Sequence, residues 1–421
     1  MEQQVILTGG RVVDPSRNMD EIRDIGICNG VIVSPETIPN AKHIDMSGKV
    51  VAPGFIDVHV HLREPGQIYK EDIETGTAAA AAGGFTTVVA MPNTVPALDS
   101  AERIADFMEL VAKKAHIRVL PAGAITIGRK GEAATNAKEL VRAGCPVLSD
   151  DGNTPQSAGL MRSIMLAAAE VGVPVVDHCE DLSLSKPGVM HDGAIARKLG
   201  LHGQPRSAEE VIVARDLILA KETGCHLHLQ HLSSKGSVEL LRKAKQEGLN
   251  VTAEVTPHHL FLTDDACLRF GTNAKMAPPL REESDRLALI EALKDGTIDM
   301  IATDHAPHSV EEKALDWNKA PFGIIGIETA VPLCLTHLYH TGILSLSDII
   351  SKFTTGPAKL LASFCEKIGQ KIGTLEEGSA NGVTILDINA NYLIDIQSFK
   401  SKSKNCPYDG MKCRGKVIGV Y

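Results

Sequence analysis

Five residues stand where a hydrolytic metal centre would need them: His59, His61, His178, His231 and Asp304. His59 and His61 lie two apart in FIDVHVH, so on a strand both imidazoles face one side and can meet one ion. Alone, such a pair equally fits two surface histidines on an edge strand; its companions decide. His178 follows PVVD, on the face of Pro174 and Val176, where a single histidine is more often a satisfied core group. In HLHLQHL, Leu227, Leu229 and His231 share a face with the histidine at the outlet, while His226 and His228 lie deeper on the other face and read as structural. Ala302, Asp304 and Ala306 share a face that puts Asp304 at the mouth. Asp150 and Asp151 close PVLSDD, and Asn93 follows TTVVAMP.

Four histidines and one or two aspartates exceed the three protein ligands of a usual catalytic zinc. Two metal ions sharing a carboxylate fit better, because such a pair can generate hydroxide at neutral pH and polarise a carbonyl together. A carboxylate at the mouth can then carry the proton. Imidazole with carboxylate suits zinc, with manganese or cobalt as substitutes. His258 and His259, in VTPHH, fit equally a supporting role at the site or loop hydrogen bonding. Cys179 reads as a small packing residue beside His178.

The elements that must position these groups repeat one theme: a short β-branched run ending in polar residues, then a helical stretch. The runs are 55–61, 86–92, 118–124, 146–151, 174–179, 226–232, 250–257 and 299–305, eight in all. Between them, segments such as AERIADFMELVAKKA and RSAEEVIVARDLILAKETG carry apolar residues at three- and four-residue spacing. Many close on glycine, at Gly84, Gly144, Gly172, Gly224, Gly248 and Gly296, as helix ends commonly do. Eight alternating units predict an α/β fold, a (β/α)8 TIM-like barrel with its site at the C-terminal strand ends. The flanks hold short strands and turns instead. We expect residues 1–51 and 366–421 to form one small β-domain beside a barrel of residues 52–365.

Composition narrows the function class. The chain has 421 residues, 43% hydrophobic and 23% charged, which fits a packed globular protein. A net charge of -9 argues against nucleic-acid binding, and no basic run points to a membrane surface. No signal peptide or membrane span is read from the sequence. Nine scattered cysteines without a CxxC read as reduced thiols, hence a cytoplasmic location.

Longer stretches extend the pattern. VAPGFIDVHVHLREPG, MPNT, SDDG, HCED, QHLSS, EVTPHH, KMAPPLR and ATDHAPH resemble the amidohydrolase superfamily, and together its dihydroorotases of the single-function bacterial type. The resemblance runs over nearly the whole chain. It implies that His59, His61 and Asp304 hold one Zn(2+), that His178 and His231 hold the second, and that Asp151 bridges them. It further implies that Arg63, Asn93 and His308 bind a substrate carboxylate and that backbone at Phe322 and Gly323 meets the ring. Asp304 would be the general acid/base. The implied reaction is reversible cyclisation of N-carbamoyl-L-aspartate to L-dihydroorotate, in pyrimidine synthesis. A homodimer and aspartate carbamoyltransferase are the implied partners, besides the small-molecule substrate. One position departs: Ala277 stands where many relatives carry an asparagine that contacts the ring.

Two rivals remain. Allantoinases and hydantoinases resemble this chain but bridge their metals with a carboxylated lysine on strand four; here that strand ends in SDDG, and Lys130 and Lys138 lie before it. A catalytically dead barrel that scaffolds a carbamoyltransferase would be expected to have lost ligands, and none is missing.

Overall fold

The computed structural model describes residues 4–421. Eight parallel strands, Phe55–Val60, Phe85–Ala90, Arg118–Gly123, Val147–Leu148, Val175–Asp177, Leu227–Leu229, Val251–Val255 and Met300–Ile301, follow one another in chain order around a barrel. Each run expected from the sequence supplies one of them. The first and eighth strands meet through a parallel bridge between Val60 and His305, reinforced by the His61 N–H donating to the His305 carbonyl at 2.9 Å. Below that junction, Asp57 accepts from the Thr303 N–H at 3.1 Å and the Thr303 hydroxyl at 2.6 Å, so a buried carboxylate stitches strand one to strand eight.

The amphipathic stretches are helices, among them Ala101–Lys114 and Ser207–Thr223. Gly172 and Gly224 end their helices at φ near +70°, a conformation costly to a side chain with a Cβ. Helix and strand faces bury Val88, Ile104, Phe107, Val175, Leu227 and Leu241 in one layer between barrel and helices.

The two chain ends share one sheet. Gln4–Asp14 pairs with Met19–Cys28 and with Val50–Pro53, and Val50–Pro53 pairs with Val383–Leu393, which pairs with Lys412–Val420. Val5, Leu7, Val12, Ile27, Val51 and Ile385 form its own core.

Two features lie outside the expected pattern. Residues 180–206, after the fifth strand, fold as an excursion with a two-stranded piece, Met190–His191 against Gly203–Gln204. The stretch 399–406, far along the C-terminal segment, runs back to the barrel mouth, where Ser401 and Lys402 bond to Glu71 and Asn405 bonds to the loop after strand eight.

Candidate metal and substrate site

The outlets of the strands converge on a cavity of about 310 Å³ lined by His61, Arg63, Asn93, Asp151, His178, His231, Asp304, His308, Phe322 and Gly323, among others. The backbone turns sharply where three of these side chains enter it: Arg63, His231 and Asp304 have φ of +60°, +28° and +47°. Non-glycine residues adopt such angles rarely, and they cluster at sites where surrounding structure enforces them.

Asp151 is the hinge of the arrangement. Its Oδ1 lies 3.3 Å from His59 Nε2 and 3.6 Å from both His178 Nδ1 and His231 Nε2, and its Oδ2 lies 3.3 Å from His61 Nε2. Two compact ligand groups result, His59–His61–Asp151 and Asp151–His178–His231, with Asp151 in both. Asp304 joins the first, its Oδ1 3.0 Å from His61 Nε2 and 3.5 Å from His59 Nε2. Asp151 Oδ1 is buried with no hydrogen-bond partner. A carboxylate oxygen stranded among imidazole nitrogens is costly unless a cation meets it, so the residues fit metal binding.

The charge balance agrees. Burial would lower the His59 imidazole, but Asp151, Glu254 and Asp304 outweigh it and hold it well above the usual range. Burial would likewise lower His178, yet the adjacent Asp151 and the bond to Glu180 push it up to about 10. Burial would raise the Asp151 carboxyl, but the charge on His59 and the nearby imidazoles of His178 and His231 hold it well below the usual range. Carboxylates thus favour a cation beside His59 and His178, while burial holds His61 down.

Three of the candidate ligands are oriented from behind. His59 Nδ1–H donates to Glu254 Oε1 at 2.5 Å, and Glu254 Oε2 meets His228 Nε2 at 3.1 Å. His61 Nδ1–H donates to Asn93 Oδ1 at 2.9 Å, and His178 Nε2–H to Glu180 Oε2 at 3.1 Å. The half-buried Arg129 guanidinium grips the backbone carbonyls of Asp150 and Asp151. Glu254, Glu180 and Arg129 went unremarked in the sequence. Glu254 could have been found, since it alternates inward with the deep-lying His228 on the neighbouring strand; the other two come from loops whose path the sequence does not give.

The remaining candidates separate. His226 and His228 sit below the cluster, both bonded to Thr252 Oγ1. His259 bridges Thr256 Oγ1 and the Pro278 carbonyl, a loop role, while His258 Nε2 is buried without a partner near His231 and Asp304. Cys179 packs against Asp177 and Asp216, whose counter-charge is Arg215, outside the cavity. Asp150 faces away and caps the loop after strand three, accepting from the N–H groups of Ile125 at 3.0 Å and Thr126 at 3.1 Å.

On the upper wall, Arg63 is 8% exposed; its Nε donates to the Pro307 carbonyl at 3.1 Å and its guanidinium lies 3.3 Å from His308 Nε2. Its neighbour Glu64 pairs with Lys114 instead. Burial pushes Arg63 down to about 10, still charged at neutral pH. His308 is pushed down to about 2 by burial and by Arg63, Lys70 and Lys313, so it is neutral. At the ring-contact position, the Phe322 carbonyl accepts from His308 at 2.8 Å, and the Gly323 N–H donates to the Lys275 carbonyl at 2.9 Å. A side chain at Gly323 would press on Ala306 Cβ at 2.6 Å.

A family model described as Dihydro-orotase-like matches residues 48–237. The dihydroorotase of Acetivibrio thermocellus is 44% identical over 416 residues, 98% of this chain and 96% of that one. That of Caldanaerobacter subterraneus subsp. tengcongensis is 46% identical over 418 residues, 98% and 95% of the two chains. The chain belongs to the dihydroorotase family. Among solved structures, an L-hydantoinase from Arthrobacter aurescens is similar with a TM-score of 0.87 and 29% identity, covering 100% of this chain and 95% of that one.

Membership of the dihydroorotase family makes this a cyclic amide hydrolase on an amidohydrolase barrel, and the His/Asp clusters support a metal cofactor. Among the described residues, the lysine that lines the cavity is the exposed Lys186; Lys130 and Lys138 do not line it. Ala277 lines the cavity as well, in place of the asparagine that the resemblance implies. Among the described residues no helix is long and apolar enough to cross a membrane.

Proposed function

We propose that the chain interconverts N-carbamoyl-L-aspartate and L-dihydroorotate, a step of pyrimidine synthesis. Arg63 carries the substrate choice. It is a buried guanidinium with no carboxylate partner among the described residues, set at the cavity wall beside neutral His308. A rigid planar fork left unpaired at a pocket suits a substrate carboxylate. Asn93 and His308 would flank that carboxylate, and backbone at Phe322 and Gly323 would meet the ring.

His59, His61 and Asp304 would hold one metal ion and His178 and His231 a second, with Asp151 serving both. Two Zn(2+) per subunit suit this donor set, with manganese or cobalt as substitutes. When bound, such a pair supplies activated water at neutral pH and Lewis-acid polarisation of a carbonyl. Asp304 takes up the proton that the attacking water loses as the ring opens and delivers it to the departing amide nitrogen. In cyclisation the same carboxyl starts protonated and runs the transfer backwards.

In this reading residues 1–51, of which 1–3 lie outside the described residues, and 366–421 form the small domain and 52–365 the barrel, and the enzyme works in the cytoplasm. A homodimer is the assembly to test. Aspartate carbamoyltransferase, which makes N-carbamoyl-L-aspartate, is the partner to test. Likeness to the L-hydantoinase favours a second reading, a cyclic amidase for neutral rings. Turnover of L-dihydroorotate against dihydrouracil separates the two: efficient turnover of the first with poor turnover of the second is expected, and the reverse preference would replace the proposal.

A further inference from the structure

The loop 314–323 runs to the substrate wall of the cavity and ends in Phe322 and Gly323, without a helix or strand of its own. Two lysines hold it. Lys313 Nζ donates to the carbonyls of Lys275 at 3.2 Å, Pro321 at 3.0 Å and Gly323 at 2.9 Å. An ammonium has three donors and no acceptor, so these three carbonyls occupy all of them. Lys275 Nζ donates to the Trp317 carbonyl and, at 2.6 Å, to that of Ala320, and lies 4.3 Å from the centre of the Phe322 ring. Asn405 Nδ2 adds a bond to the Gly323 carbonyl at 3.2 Å.

Lys275 and Lys313 are only 2% and 4% exposed, and their polar partners are backbone carbonyls instead of carboxylates. Burying an ammonium without a counter-ion is costly, and an apolar side chain would pack such a loop at less cost. Burial pushes Lys275 down to about 8 and Lys313 down to about 7, a cost that makes sense where a fixed loop is useful, as at the wall of a substrate pocket.

We infer that Lys275 and Lys313 are positioning residues: two carbonyl-bound lysine side chains lock the loop that presents Phe322 and Gly323 to the ring substrate. The inference rests on the carboxylate substrate proposed above. Lys313→Met keeps the length of the side chain and removes its donors and charge. Its KM for L-dihydroorotate should rise about tenfold or more, with kcat within about threefold, since a bond from a charged donor is lost at the binding wall. Metal content should equal the wild type's.

Trp317 is the single tryptophan of the chain and sits in the held loop, so its emission should move to longer wavelength and become more open to acrylamide quenching in the variant. A KM equal to the wild type's would overturn the inference, even with a lowered melting temperature, because a purely structural role predicts that result. Should Lys313→Met fail to fold, hydrogen exchange in the wild type decides: the Gly323 amide should exchange slowly, and rapid exchange would refute a locked loop. If the wild type does not turn over dihydroorotate, the substrate reading fails while Trp317 quenching and Gly323 exchange still judge the clamp.

Discussion

At the scale of single residues, Arg63 separates the proposal from its plainest alternative, an arginine paired with Glu64 in a loop. Exposed pairs contribute only about 0–1 kcal/mol, and here Glu64 is engaged by Lys114. Losing one partner of a buried charge-assisted contact costs roughly 2–5 kcal/mol. Arg63→Met should therefore lower kcat/KM for dihydroorotate between about 30-fold and several thousand-fold, while dihydrouracil turnover stays low and unchanged; equal damage to both substrates would remove the carboxylate contact. In the proposed reaction Asp304 carries the proton. Burial would raise its carboxyl, but the charge on His59 and the bond from His61 outweigh it and hold it below the usual carboxylate range. Asp304→Asn should lose at least about 10²-fold in both directions. In the wild type, the rate should rise with pH for hydrolysis and fall with pH for cyclisation; parallel profiles would contradict a single carrier. Asp151 and Asp150 should part company: Asp151→Ala loses metal, whereas Asp150→Asn keeps it and loses roughly 1–3 kcal/mol of stability, because buried N–H groups of the strand-three loop lose a charged acceptor.

At the scale of elements, the period-two faces made His61, His178, His231 and Asp304 legible, because a strand end fixes both the face and the height of a side chain. The eight strands were legible for the same reason: apolar β-branched runs closed by polar residues leave little alternative. What orients the ligands was harder to see. Glu254 sits mid-strand in NVTAEVTP, where a buried glutamate makes sense only once His59 and His228 are known to face it. The excursion 180–206, which brings Glu180 and Gln204 to the cavity, and the return of Asn405 to the mouth depend on long-range packing that no local period records. Glu254→Gln tests the element-level account. It keeps the shape but weakens the hold on His59 Nδ1, so metal affinity measured by chelator competition should fall about 10–100-fold. Unchanged affinity would mean that the strand alone aims His59.

At the scale of the whole molecule, the proposed ligands arrive from the first, fourth, fifth, sixth and eighth strands, so metal binding should be coupled to barrel closure. A ligand present at about 1,000 times its Kd stabilises the folded state by about 4 kcal/mol. Chelation should accordingly lower Tm by several degrees, and zinc should restore it; a Tm indifferent to chelator would separate the metal from the fold. The small sheet formed by both chain ends, with its own core of Val12, Val51 and Ile385, lies outside that event. The central proposal is one carboxylate, Asp151, serving two ions. The direct test is anomalous scattering from crystals of the zinc-loaded protein: two peaks flanking Asp151 are predicted, one among His59, His61 and Asp304, the other between His178 and His231. A single peak at full zinc loading, with His178 and His231 left unligated, would contradict it.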